Sequence, residues 1–331
     1  GRIRVSSSFD PDPVEAAVTE LDALFPARRD EIVEWARYPL GVAWALLQAT
    51  GSEPASVSGV DLVFRSDVPV GAGLSSSAAI EGATAVALND VWGLDQSRVT
   101  LAQVGRRAEN EAVGAPTGIM DQMASLLGRP DAGTFLDCRT LDAEVTELGF
   151  ASAGLELVVI DTKVSHAHST GGYGERRAAC ERGAQIMGVP ALRDLSVADL
   201  PRAQKLMDDL TFRRVRHVVT EDQRVLDTVA TLRAEGPRAI GALLDASHAS
   251  MRDDFEISVP ELDLAVDTAR ASGAIGARMT GGGFGGAAIA LLDQELVPTV
   301  TAAVEAAFAR AGFTPPHIFT VRPSEGARRD A

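Results

Sequence analysis

The stretch Val68-Pro69-Val70-Gly71-Ala72-Gly73-Leu74-Ser75-Ser76-Ser77-Ala78 decides how the rest of the chain is read. A strand ends, glycines let the backbone turn tightly, and three hydroxyls open a helix rich in small residues, over about Ser75 to Trp92. The unpaired N–H groups of such an N-terminus, with the helix dipole behind them, make a site for an anion. Gly71 and Gly73 let phosphate oxygens come close to the backbone. Serine capping of an ordinary buried helix uses the same residues and stays open at this point.

Working outward, Ala108–Gln122 reads AENEAVGAPTGIMDQ. At about 100° per residue along the preceding helix, Leu101, Ala102, Val104, Ala108, Ala112 and Val113 cover one broad arc. Glu109 falls inside that arc; Arg106, Arg107, Asn110 and Glu111 fall outside it. Asp121 is flanked by Ile119, Met120, Met123 and Ala124. A carboxylate on an apolar face is costly unless a cation or metal meets it. Pairing with arginines is one solution. A magnesium ligand and a general base near a phosphate loop is the other.

A third segment, Met279-Thr280-Gly281-Gly282-Gly283-Phe284-Gly285-Gly286, formally contains G-x-G-x-x-G. A dinucleotide fingerprint opens a helix, whereas the run that follows, Ala287 to Leu292, reads as a strand. The segment is therefore expected to be a glycine turn between strands, set against a ligand or another loop.

The pattern elsewhere is mixed. Strands are predicted at Ile3–Val5, Val57–Phe64, Leu155–Ile160, Ile275–Met279 and His317–Val321. Helices are predicted over 31–50, 96–113, 117–127, 174–187, 214–234, 237–249 and 260–271. Strands and helices are interspersed without regular βαβ alternation, so the class is α+β. At 331 residues two domains are expected, with the boundary near 155: an N-terminal phosphate-loop domain over 1–155 and a C-terminal domain over 156–331.

Composition removes other classes. The formal net charge of −15 disfavours nucleic acid and anionic membrane as partners. Of the 31 basic residues only Lys163 and Lys205 are lysines, and neither follows a glycine-rich loop or stands in a V-A-I-K context. Walker A and protein-kinase nucleotide sites are thereby excluded. Cys138 and Cys180 are too few for a disulfide scaffold or zinc cluster and are expected as small buried hydrophobes. With no signal-peptide pattern and no membrane-length apolar run, a cytoplasmic location is expected.

The three segments resemble the GHMP small-molecule kinases and, among them, the galactokinases. V-P-x-G-x-G-L-S-S-S-A is similar to that family's ATP-phosphate loop. Gly118-Ile119-Met120-Asp121-Gln122 and Leu136-Asp137-Cys138-Arg139-x-Leu141 resemble segments specific to the galactokinases, and Arg278–Gly286 resembles the family's last motif. The resemblance implies a two-domain fold with the active site between the domains. It implies transfer of the γ-phosphoryl of ATP to the anomeric hydroxyl of galactose, with Mg²⁺, by a monomer acting on small molecules. A related sugar as substrate, or a catalytically inactive nucleotide- or sugar-binding relative, are the alternatives.

By position, Trp35 and Tyr38 match aromatics of the adenine pocket. Gly71, Ala72, Gly73, Leu74, Ser75, Ser76 and Ser77 match the phosphate loop. Ser77 and Glu109 match the magnesium ligands, with Ser76 the neighbouring alternative. Asp121 matches the catalytic base, and Gly118, through its backbone, and Tyr173 match sugar contacts. Thr117 stands where many relatives carry cysteine, and little consequence is expected. The family's first motif, G-R-V-N-L-I-G-E-H-x-D-Y, does not occur between Gly1 and Ala331, and the first methionine is Met120. The motif is therefore expected upstream of Gly1, and the chain without it is expected to be weakly active.

Weaker features have plainer readings. His166 and His168 lack the further ligands of a metal site. His248 is expected to be structural or solvent-facing. Arg213, Arg214 and Arg216 are expected on a solvated helix face, paired with Glu221 and Asp222. The pairs Asp208–Asp209 and Asp253–Asp254 are expected as plain surface.

Overall fold

A computed structural model describes residues 1–69, 73–164 and 169–330, without the side chains of 169–171 and 173. The chain is α+β, as its interspersed pattern predicts, and forms two compact units. One comprises Gly1–Val70, Ser75–Val145 and Pro323–Ala331; the other comprises Gly71–Leu74 and Thr146–Arg322. The main crossing thus falls earlier than the expected position near 155, and the last residues return to the first unit. They are tied there by Gly326 N–H to the Gly128 carbonyl and Ala327 N–H to the Ser125 carbonyl.

In the first unit, the alternation of Arg2, Ile3, Arg4 and Val5 becomes strand β1 (Arg2–Ser7), with Ile3 and Val5 fully buried. β1 pairs antiparallel with β2 (Val14–Ala17), placing Ile3 opposite Ala16, and parallel with β3 (Val60–Phe64), placing Ile3 opposite Val60. A parallel return needs a crossover, and the connection carries the helix Glu34–Thr50. Ala36, Leu40, Val42, Trp44 and Leu46 bury it on nearly every side, and Gly51 at φ +65° ends it. It starts three residues later than its periodicity predicts, because Arg29–Glu31 winds into a separate 3₁₀ turn and Ile32 is extended.

Helices Ser76–Trp92, Arg98–Arg107 and Met120–Leu127 share this core. Between the last two, Ala108–Val113 is wound as a π-helix. Strands β4 (Ala132–Leu136) and β5 (Ala143–Glu147) form a two-stranded sheet that periodicity does not announce.

The second unit is built on a four-stranded antiparallel sheet. Its strands are β6 (Leu155–Asp161), β7 (Gly276–Thr280), β8 (Ala287–Asp293) and β9 (His317–Val321), in the order β7-β8-β6-β9. In register, Leu157 stands opposite Leu291, and Val159 opposite Phe319 on the other side. Helices Pro260–Ala271 and Val297–Ala311 cover it through Leu262, Val266, Val304 and Phe308.

Several plain readings change here. Arg214 is buried, not solvated, and pairs with Glu256 at 2.6 Å, while Arg213 also meets Glu256 and Arg216 meets Asp254. The π-wound stretch Met251–Phe255 packs where solvent was expected, so Asp254 is buried as well. Glu221 is taken by Arg224 and Arg278 instead. Asp208 caps the helix Asp209–Glu235, accepting from the Thr211 amide. Buried His248 accepts from the Met279 amide and is structural. Cys138 is exposed, and Cys180 is half-buried, its thiol pushed up to about 11 by burial. His166 and His168 lie outside the described residues.

Candidate active site

Trp35 and Tyr38 stand about one turn apart on the helix Glu34–Thr50. The Trp35 indole N–H donates to Asp10 Oδ2 at 3.0 Å, which fixes the ring plane. In the first unit both aromatics line a cleft of about 1070 Å³, and Phe64, Ser76, Ser77 and Ile80 contribute to its walls. An apolar cleft with a few polar groups suits a flat ring carrying a polar substituent.

The helix that carries Ser76 and Ser77 starts from Ser75, at φ +55° and ψ +49°. In this left-handed conformation the Ser75 hydroxyl accepts no first-turn amide. The ordinary capping reading of the three serines is therefore replaced by a helix start without a side-chain cap, open to an anion. Gly73 has φ +69°, and Gly281 has φ +81°. A Cβ built on Gly281 would lie 3.3 Å from the Gly73 carbonyl oxygen and 3.4 Å from its Cα. The glycine turn between β7 and β8 thus packs on the phosphate-loop stretch and leads into a strand, which removes the dinucleotide reading. Leu74 is half-buried beside Gly73; Gly71 and Ala72 lie outside the described residues.

Glu109 is buried, as its place on the helical arc predicts. Its partners are not arginines. Thr117 Oγ1 donates to Glu109 Oε2 at 2.6 Å, and Gln122 Nε2 donates to the same oxygen at 2.8 Å. Thr117 thus contributes one of the two side-chain donors that meet Glu109. Among the described residues no donor meets Glu109 Oε1, and no arginine or lysine pairs with Glu109 or Asp121. Asp121 is half-buried in the first turn of the helix Met120–Leu127. Gly118, just before it, is exposed, with nothing within 4 Å of where a Cβ would stand, so its backbone is accessible. Tyr173 falls on the helix Ser169–Met187, and its side chain lies outside the described residues.

Two residues that sequence reasoning passed over complete the cluster. Glu81 is fully buried, and Gln122 Nε2 donates to its Oε2 at 2.9 Å. Its signal was a lone carboxylate among Ala79, Ile80, Gly82 and Ala83. Burial, reinforced by the charge of Glu109, pushes the Glu81 carboxyl up to about 9, against the lowering effect of the Gln122 hydrogen bond; Asp121 adds to the rise. Burial, then the charges of Glu109 and Glu81, raise the Tyr38 hydroxyl to about 12, so the cleft and the acidic cluster share one field.

This donor set fits a magnesium ion in the way that ion is usually held: by one or two protein oxygens, with phosphate and water completing the octahedron. Glu109 offers one oxygen held by neutral donors and one clear of them. No group of three acidic, histidine or cysteine side chains forms a complete cage among the described residues.

Comparison with known proteins agrees with this architecture. Residues 37–129 match the GHMP kinases N terminal domain, and residues 228–310 match the GHMP kinases C terminal domain. The chain belongs to the GHMP kinase family, and within it to the galactokinases. It is 52% identical over 326 residues to a galactokinase of Streptomyces coelicolor, covering 98% of this chain and 82% of that one. It is 51% identical over 324 residues to a galactokinase of Streptomyces lividans, covering 97% and 79%. The crystal structure of Lactococcus lactis galactokinase complexed with galactose superposes with a TM-score of 0.90 at 30% identity, covering 98% and 83%.

Proposed function

We propose that the protein transfers the γ-phosphoryl group of ATP to the anomeric hydroxyl of galactose, giving α-D-galactose 1-phosphate and ADP. The observation that carries this reading is the 52% identity to a galactokinase over 98% of the chain. Trp35 and Tyr38 take the adenine, and the stretch Gly71–Ser77 takes the phosphates. Ser77, or its neighbour Ser76, and Glu109 hold Mg²⁺, which when bound offsets charge on the β- and γ-phosphates. Gly118 presents its backbone to the sugar, and Tyr173 is assigned to the sugar by the family resemblance alone.

Phosphoryl transfer asks mainly for alignment and charge neutralisation. Asp121 orients the anomeric O–H and accepts its proton. The bond from that oxygen to the γ-phosphorus forms as the bond from phosphorus to the β-bridging oxygen breaks. ADP leaves with the electron pair, and Asp121 returns its proton to solvent. The absence of a basic partner for Asp121 among the described residues keeps it available as a proton acceptor. The reading carries with it a cytoplasmic, single-chain enzyme of small-molecule substrates.

The test is galactose-dependent release of ADP by the purified protein, with the product identified by ³¹P NMR. The expected result is stoichiometric sugar 1-phosphate. ADP release with another hexose and none with galactose would move the reading to a related sugar, and release with no sugar tested would overturn it.

A further inference from the structure

The buried amide of Gln122 has a task that the chemistry above leaves unassigned. Both of its N–H bonds are committed. Nε2 lies 2.9 Å from Glu81 Oε2 and 2.8 Å from Glu109 Oε2. All three side chains are at most 6% exposed. An amide whose two hydrogens go to two fixed carboxyls has no freedom to turn. The helix Arg98–Arg107 leaves room for it: a Cβ on Gly105 would stand 3.1 Å from Gln122 Cγ and 3.3 Å from Glu81 Oε2. Thr117 donates to Glu109 from another segment, again to Oε2. Two donors on one oxygen fix the carboxylate plane and turn Oε1 away from both.

We propose that Gln122, anchored by Glu81, is a positioning residue that presents Glu109 Oε1 to the nucleotide-bound divalent cation. The proposal rests on the reading of Glu109 as a cation ligand. Groups behind metal ligands orient them, and their loss commonly weakens metal binding by about 10- to 100-fold. Glu81 acts at one remove, by holding the amide in the plane that reaches Glu109. Both residues are buried behind Glu109 and are offered as positioning residues only.

The experiment measures the dissociation of Mn²⁺ from its ternary complex with ADP and the full chain, followed by water-proton relaxation. Galactose KM and melting temperature are recorded beside it. Gln122→Met keeps the volume and removes both donors; about 10-fold weaker Mn²⁺ binding is expected, with galactose KM within about twofold of wild type. Glu81→Gln keeps an acceptor for the amide and should bind Mn²⁺ as wild type does. Glu81→Met removes the acceptor and should weaken Mn²⁺ severalfold.

Wild-type Mn²⁺ affinity in folded Gln122→Met, alongside lost affinity in Glu109→Gln, overturns the positioning role and leaves the cation reading of Glu109 standing. Wild-type affinity in Glu109→Gln overturns that reading itself. If Gln122→Met does not fold, the two Glu81 variants decide: equal Mn²⁺ affinities overturn the proposal, and the predicted gap supports it.

Discussion

The acidic cluster of the first unit and the buried or half-buried carboxylates of the second are handled in opposite ways. In the second, Glu256 meets Arg213 and Arg214, Asp254 meets Arg216, Glu221 meets Arg224 and Arg278, and Glu156 meets Arg322. In the first, Glu81, Glu109 and Asp121 have no arginine or lysine partner among the described residues, and neutral donors hold two of them. A buried carboxylate that is already matched by a cation is finished with; one met only by amides and hydroxyls still has room for a cation that arrives. A buried carboxyl marks a site here only where the protein has not matched it with an arginine or lysine.

The largest effect of an unmatched carboxylate is expected at Asp121. Asp121→Asn keeps the shape and removes the base. Turnover should fall about 10²- to 10⁴-fold, while ADP affinity, measured by calorimetry, stays near wild type. Turnover close to wild type would place Asp121 with the structural carboxylates of the other unit.

The arginine-matched side should respond in stability instead. Arg214→Met leaves Glu256 short of a partner and the Asp254 carbonyl short of a donor. Because Glu256 is 40% exposed, the cost should lie near the lower end for a broken buried pair, about 3 kcal/mol. It should appear in urea unfolding, with nucleotide affinity unchanged in the folded protein.

His217 sharpens the same side through pH. It stacks on Phe255 at 4.4 Å and meets Ser250 Oγ through Nδ1. Burial pushes it down to about 4, against the pull of Glu221 and Asp254; Arg224 and Arg278 push the same way as burial. Above the ordinary value of 6.5 the ring is neutral in both folded and unfolded chains, and its contribution is constant. As pH falls from 6.5 toward 4, only the unfolded chain takes up the proton, so stability is lost. At pH 5 the loss attributable to this residue should be about 2 kcal/mol. His217→Gln should flatten the difference in melting temperature between pH 7.5 and pH 5; an unchanged difference would contradict this account.

The smallest effect belongs to the exposed pair Arg238–Asp293. Asp293→Asn should leave the melting temperature unchanged within error, since solvent screens such pairs. A clear drop would mean that surface and buried arginine pairs in this unit do not differ as described.

Much of this was legible in the sequence. The run Leu155–Ile160, read as a strand, lies within Leu155–Asp161, the most buried strand of its sheet, and the helix 260–271 is read to the residue, its start marked by Pro260. Glu109 was placed on a buried face by spacing alone. Strand β5 escaped because only Thr146 of AEVTE is buried, so it carries no apolar alternation. The partners of Arg214 escaped because Glu256 lies 42 residues away, behind a stretch wound with a non-standard period. Glu81 and Gln122 are 41 residues apart, and no local pattern couples a carboxylate in one helix to an amide in another.

The π-wound stretch Ala108–Val113 carries a last consequence. Such a turn accommodates an extra residue relative to an α-turn. Its vulnerability is therefore to changes in chain length more than to changes of side chain. Deleting one residue between Arg107 and Glu109 would carry the carboxylate about 100° around the helix axis, off the face that Thr117 and Gln122 address. Gly41 guards the same count from outside: a Cβ there would stand 2.6 Å from the Ala112 methyl, so the wider coil fits only beside a residue with no side chain. Among natural variants of this protein, insertions and deletions in this segment should be tolerated less well than substitutions at its exposed position, Glu111.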